Sequence, residues 1–332
     1  MSSATASETD SKLPRAGLRR FAWVVLAYFV AVILWGTLVR ATGSGAGCGG
    51  HWPLCNGTIV QQSASAKTMI EYTHRIMSGI SLLAIVGLAV WTFSATARGH
   101  LARLAATIAV ILTLVEAILG ALLVKLGLTA TSHSPLRPAY LALHLTNTLL
   151  LLAALTLTAH LLGRRTGYLR GSVRLVAPFG IAACILVVLL VGVTGSLAAL
   201  GDTLFPASSL NQALAQDFSP TSGWLVHWRW MHPAVAFTAS IFLVWLLARS
   251  TEMTYQRSRP GPGPATGFWN NRRLSALVLL LLVSVYALGI LDVALLAPVW
   301  VQVAHLLGAD TLWITLVVLA ARLTLVPQSG NQ

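Results

Sequence analysis

Acidic side chains are scarce in this chain, with nine aspartates and glutamates against 22 lysines and arginines in 332 residues. Charged residues make up only 9% of the sequence and hydrophobic ones 56%, whereas a soluble domain carries about a quarter charged residues, so a soluble globular protein is excluded. Cysteine is rarer still: three in the whole chain rule out a disulfide-dense scaffold and a four-cysteine zinc site. Near the N-terminus no small-residue cleavage site follows a short apolar core. Residues 1–18, polar and rich in Ser and Ala, therefore read as a disordered tail and not as a signal peptide.

Apolar runs are plentiful. Eight of them, near 21–41, 69–95, 101–124, 139–162, 175–198, 224–248, 273–296 and 299–321, each approach the roughly 20 residues a helix needs to span hydrocarbon. The expected fold class is an all-α polytopic membrane protein, its eight transmembrane helices forming two pseudo-symmetric four-helix bundles. Expected boundaries are a cytoplasmic tail over 1–20, an N-terminal half over 21–165, a C-terminal half over 166–325 and a short cytoplasmic tail over 326–332. The segment 257–267, where Pro260, Pro262 and Pro264 alternate with glycine, reads as a flexible linker.

The net charge of +13 raises the question of nucleic acid, and the placement of the bases answers it. Only Arg40, Lys67, Arg75, Lys125, Arg137 and Arg229 fall on the side opposite the N-terminus, and the remaining 16 fall on the side that bears it. That is the positive-inside pattern of a plasma-membrane protein with both termini cytoplasmic; its partner is the lipid bilayer, with no role for nucleic acid.

Similar features recur at a spacing near 155 residues. Thr42-Gly43-Ser44 at the end of the first run matches Thr194-Gly195-Ser196 at the end of the fifth, His74 matches His232, and His144 matches His305. Four histidines thus lie at similar depth near the outer ends of even-numbered helices, two in each half. A lone membrane histidine is more often a packing residue, but paired imidazoles on facing helices are how the iron of a flat macrocycle is held from both sides. One haem-sized site per half is expected, His74 with His144 and His232 with His305. His227 lies about 140° round the helix from His232, and the repeat selects His232.

Glu71 and Arg75 flank His74 on one turn of an apolar helix. Ionisable groups inside a bilayer cost roughly 2.5 to 3.5 kcal/mol each and persist where they pair, line a cavity or do chemistry. Glu71, three residues before His74, shares its helix face. Arg75 and Arg229 sit where propionates of a bound haem would emerge, as candidate bidentate partners; snorkelling to lipid phosphate explains them equally well. Glu116 and Asp310 are two further buried acids without an assigned role. Cys48 and Cys55, seven apart in a Gly-rich outer loop, suit a disulfide that is either a staple or a redox pair; two cysteines and His51 leave a zinc site short of ligands.

Taken together, the cysteine loop, Glu71 to Arg75, His144, the Trp230-Met231-His232-Pro233 turn and His305 resemble the haem A synthase family over roughly residues 20–322. That resemblance implies an oxidoreductase acting on a C–H group: a methyl of haem O becomes a formyl, through hydroxylated intermediates, to give haem A for terminal oxidases. It further implies haem O held between His74 and His144, a permanent haem b between His232 and His305, Glu71 as the carboxylate beside the substrate, and Cys48 with Cys55 as the family's outer-loop pair. Implied partners are haem O, a haem O synthase, terminal oxidase assembly and an unidentified electron acceptor. Some members carry a second cysteine pair in the C-terminal half, and residues 201–222 here hold none. A dihaem b-type electron carrier linked to quinol, or a non-catalytic haem-handling assembly protein, would use the same histidines without needing Glu71 or the cysteines. A haem prenyltransferase is disfavoured by the absence of an aspartate-rich diphosphate-binding run.

Overall fold

The computed structural model describes residues 13–59, 65–130, 132–163, 173–175, 178–257 and 266–327. Both tails beyond these limits, and all but the ends of the Pro/Gly segment 257–267, lie outside the described residues. The long helices are α1 (Leu13–Ala41), α2 (Ala66–Ala95), α3 (Leu101–Lys125), α4 (Leu136–Leu162), α5 (Pro178–Leu204), α8 (Met231–Arg257), α9 (Thr266–Ala294) and α10 (Val299–Thr324). Two short ones, α6 (Leu210–Phe218) and α7 (Trp224–His227), lie between α5 and α8. Eight segments are long and apolar enough to cross a membrane, so the all-α polytopic class holds. A three-residue antiparallel pairing of β1 (Val173–Leu175) with β2 (Leu325–Pro327) joins two chain segments at the end of the bundle that carries both termini.

Local sequence sets the helix starts. Ser65 caps α2 by accepting from the Thr68 amide, His100 caps α3 through Nδ1 from the Ala102 amide, and Pro298 precedes α10, where an amide donor is not needed. Pro233 breaks the helix expected over 224–248. Lacking an N–H, it is tolerated only in a first turn, so the chain makes α7, turns at 228–230 and restarts as α8 just ahead of it. Further corrections concern α1 and α5. Helix α1 begins at Leu13, inside the segment expected to be tail, and α5 runs to Leu204, beyond the expected end at 198. Thr194-Gly195-Ser196 therefore lies within a helix, whereas Thr42-Gly43-Ser44 follows the end of one, and the two triplets are not equivalent.

Helices α1 to α4 pack as a closed ring in which each neighbours the next and α4 returns to α1. In the second half α5 neighbours α8, α8 neighbours α9 and α9 neighbours α10, while α5 and α10 also lean on α4. Trp313 of α10 donates to the Leu149 carbonyl of α4 at 2.8 Å across this seam. Arg40 of α1 crosses it at the other end, donating to Ala199 O and Thr203 Oγ1 of α5 and to Gln302 Oε1 of α10.

The large apolar core is confined to the half of the bundle nearest the termini. Leu18, Val25 and Phe29 of α1, Leu151 and Leu155 of α4, and Trp313 and Leu319 of α10 belong to it. The opposite half holds His74, His144, His232 and His305 with buried Glu71, Arg137 and Arg229. Exposed Trp52, Trp224, Trp228, Trp230 and Trp300 ring that end, where amphipathic indoles favour a membrane–water boundary.

Candidate functional site

Each of the four selected histidines rests against a glycine of the helix before it. His74 of α2 packs on Gly36 of α1, His144 of α4 on Gly120 of α3, His232 of α8 on Gly195 of α5, and His305 of α10 on Gly289 of α9. A Cβ placed on these glycines would meet the ring Cε1 at 3.0, 3.9, 3.0 and 3.2 Å respectively. The repeat inferred from the histidines thus extends to their backing residues, with Gly36 matching Gly195 in place of the threonine-glycine-serine triplets.

The rings of His232 and His305 stand 6.4 Å apart, centroid to centroid, with their planes at 88°. An ion bound by two imidazole nitrogens at about 2.0 Å, with roughly 1.1 Å more to each ring centre, requires a separation of about 6.2 Å. Among the described residues no three His, Cys, Asp or Glu side chains cluster as a bare-ion site would need. Two histidines per site suit a macrocycle that brings its own four nitrogens. The buried Nδ1 of His74 has no hydrogen-bond partner, so this imidazole is not an ordinary packing histidine satisfied by its neighbours. The residues present fit a haem in each half.

His227 differs. Its Nε2 lies 2.8 Å from Ser219 O and its Nδ1 3.2 Å from Gly223 O, so both nitrogens are taken by backbone. His133 packs edge-on against Phe205 and His51 is exposed, away from the four.

Glu71 is 3% exposed. Its Oε2 accepts from the Cys48 amide at 2.8 Å and its Oε1 from Arg75 Nη2 at 2.6 Å. Arg75 also donates to the carbonyls of His51 and Leu54. Cys48 and Cys55 form a disulfide, both cysteines buried, and Thr68 Oγ1 donates to Gly47 O. The loop needs Gly47 for this approach, since a Cβ there would stand 2.6 Å from the Lys67 carbonyl oxygen. One turn of α2 thus clamps the disulfide loop over His74. Arg75, expected near a propionate, is committed in this structure to the loop.

Arg229 stands three residues before His232, as Glu71 stands before His74, and it too fastens a loop. It donates to Asp217 Oδ1 at 2.7 Å and to Gln216 Oε1 at 3.0 Å, with Asp202 Oδ1 at 3.3 Å. Its partners in this structure are thus two protein carboxylates and a side-chain amide oxygen. The halves therefore place opposite charges at matching positions.

Glu116, given no role from sequence, proves to be part of the site. Its Oε1 lies 3.5 Å from His144 Nδ1, and Asn147 and Thr148 of α4 donate to the carboxylate. The missed signal was the spacing within α3: Glu116 stands one turn before Gly120, the residue that backs His144. Asp310 is buried with Oδ2 unpartnered, and it contacts none of the four imidazoles in an ion pair.

Fold and site define a membrane-embedded helical protein with four glycine-backed histidines, two in each half. Residues 19–317 match the model of the cytochrome oxidase assembly protein family, and the chain belongs to that family, which takes in the haem A synthases. It is 39% identical over 307 residues to a protein of Thermus thermophilus named protoheme IX farnesyltransferase, covering 91% of this chain and 48% of that one. It is 42% identical over 99 residues to a Heme A synthase of Exiguobacterium sp. (30% of this chain, 33% of that one), and 39% over 126 residues to one of Alkalihalophilus pseudofirmus (38% and 40%). The chain spans about half the length of the Thermus relative, or less of the others.

Proposed function

We propose that this chain is a haem A synthase, oxidising a methyl group of haem O to a formyl group through hydroxylated intermediates. The observation that carries this reading is the asymmetry between halves. Buried Glu71 and half-buried Glu116 attend the histidine pair of the first half, whereas Arg229 and Val285 occupy the matching positions of the second. The first half is then the reactive one, with His74 and His144 holding the substrate macrocycle, and the second holds a permanent haem b between His232 and His305. That haem supplies one-electron redox chemistry when bound.

The residues of this chain supply orientation and charge. Glu71, one turn from His74, is held by the Cys48 amide and Arg75 and so cannot swing away when charge develops at the reacting carbon. A carboxylate has about four lone-pair sites, and two accepted hydrogen bonds leave capacity to stabilise positive charge or take a proton from water. The buried disulfide and Arg75 close the loop over this turn and hold Glu71 in place. Arg40 ties the two halves together at the same end, keeping the centres in register for electron transfer to an acceptor. The bias of basic residues toward the termini supports cytoplasmic tails and haem sites near the outer face of the plasma membrane.

The name of the Thermus relatives belongs to proteins about twice the length matched here. Farnesyl transfer releases diphosphate, and this chain has no aspartate-rich run to hold it. We assign that activity to the unmatched part of those relatives: a transferase making haem O would sit beside the enzyme that consumes it. The identity of haems extracted from the purified chain tests the proposal. Haem b together with haem O or haem A supports it; two haems b favour the electron carrier.

A further inference from the structure

We propose that Glu116 is a positioning residue that makes His144 the strongly donating axial ligand of the first half, so that its two axial histidines are unequal. This rests on the reading that His74 and His144 hold a macrocycle. Among the described residues Glu116 is the one carboxylate in ion-pair reach of any of the four imidazoles.

The carboxylate is built in from both sides. Asn147 Nδ2 donates to Oε2 and also to the Leu112 carbonyl of the same helix as Glu116, at 2.9 Å. Thr148 Oγ1 donates to Oε1, the oxygen that lies 3.5 Å from His144 Nδ1. Asn147 and Thr148 follow His144 on α4, so one helix turn carries the imidazole and both groups that aim the acid at it. At 3.5 Å the acid is in ion-pair reach of His144 Nδ1 without a hydrogen bond in this structure; a carboxylate that closes to accept from Nδ1–H fixes the tautomer and ring orientation and raises the basicity of the other nitrogen.

Nothing equivalent serves the other three. His232 Nδ1 meets a neutral hydroxyl, Thr194 Oγ1, at 3.3 Å, His305 has the neutral backbone of Val285 beside it, and no carboxylate is in ion-pair reach of His74 among the described residues. In the second half Gly289 backs His305 as Gly120 backs His144, and the residue four before Gly289 is Val285. The acid is therefore specific to the half proposed to take substrate. A macrocycle that must enter and leave needs one ligand that keeps its orientation and another that yields, and the pair His144 with His74 provides that inequality.

The test is a spectroelectrochemical titration of the full-length protein carrying both haems, wild type against Glu116→Gln, with His144→Ala used to assign the first-half centre. Anionic support at the ligand favours ferric iron, so removing it should raise the midpoint of the first-half haem and leave that of the second unchanged. Retention of the first-half haem should fall about 10- to 100-fold. Asn147→Ala combined with Thr148→Val keeps the acid but loosens its aim, and should shift the same midpoint upward by less; it decides the matter if Glu116→Gln does not fold. An unchanged first-half midpoint, or an equal shift at both centres, would overturn the proposal. A wild-type protein that takes up no first-half haem would instead overturn the two-site reading beneath it.

Discussion

Replacing Gly36, Gly195 or Gly289 with alanine should displace the histidine ring each one backs by a few tenths of an ångström. At Gly36 and Gly195 the new methyl would stand 3.0 Å from an imidazole carbon, and at Gly289 3.2 Å. Carbon atoms are comfortable at about 3.5 to 4.0 Å, so each of these rings must retreat by roughly 0.3 to 0.5 Å. Metal sites hold their ligand distances within about 0.2 Å, so the retreat exceeds what a bound iron tolerates. Overpacking of this kind costs about 1 to 3 kcal/mol, or about 5- to 150-fold in haem affinity if borne by the haem-bound form. Gly120 is the internal control. Its methyl would stand 3.9 Å from His144, an ordinary contact, while replacing a helix-interior glycine with alanine gains about 0.5 to 1 kcal/mol. Haem-to-protein ratios and thermal unfolding of the four purified single variants measure this directly. Gly36→Ala should lose first-half haem, Gly195→Ala and Gly289→Ala second-half haem, and Gly120→Ala neither. Full haem content in Gly36→Ala and Gly195→Ala, or loss in Gly120→Ala equal to theirs, would refute the assignment of these rings as ligands.

Three other outcomes follow from the geometry. Cys48→Ser with Cys55→Ser should lower stability by about 2 to 3 kcal/mol, from the entropy of the loop the disulfide closes; unchanged thermal unfolding would show that Glu71 and Arg75 hold the loop alone. His227→Ala should leave both haem spectra intact, because its ring nitrogens already face Ser219 O and Gly223 O, and loss of a low-spin signal would return His227 to the ligand set. Arg40→Leu leaves Gln302 and Thr203 without their shared donor at the seam. Hydrogen bonds to a charged group contribute about 1.5 to 3 kcal/mol each, so this variant should unfold at clearly lower temperature; an unaltered unfolding temperature would show that Trp313 and the apolar core suffice.

The spanning helices were legible because their signal is composition over some 20 residues, which needs no knowledge of partners. Their ends were less so. Pro233 broke a helix whose apolar pattern continues through it, and α5 outran its expected end by several residues of unchanged hydropathy. The closeness of His232 and His305 was readable from a repeat of depth, an ordered property of the chain. Glycines backing them were not, because a glycine in an apolar helix looks like any other until a neighbouring ring lies on it. Arg75 and Arg229 were placed by an argument about propionates, but the nearer partners are loop carbonyls, carboxylates and Glu71, set by the folds of residues 43–59 and 205–217. Glu116 was noted as an acid in an apolar helix, but its place beside His144 was not legible for the same reason: a lone acid in a helix gains its role from Asn147, Thr148 and His144 on another.

The central claim is the reaction, and Glu71 is its most direct probe. This chain would be expressed with a haem O synthase in cells that lack haem A, alongside Glu71→Ala, and the extracted haems resolved by chromatography. Removing one preorganised electrostatic group of this kind costs about 100- to 1,000-fold in rate, while His74 and His144 remain to hold the macrocycle. The account predicts haem A from the wild type and haem O or a hydroxylated intermediate from the variant. No haem A from the wild type, with haem O plainly present, would contradict it.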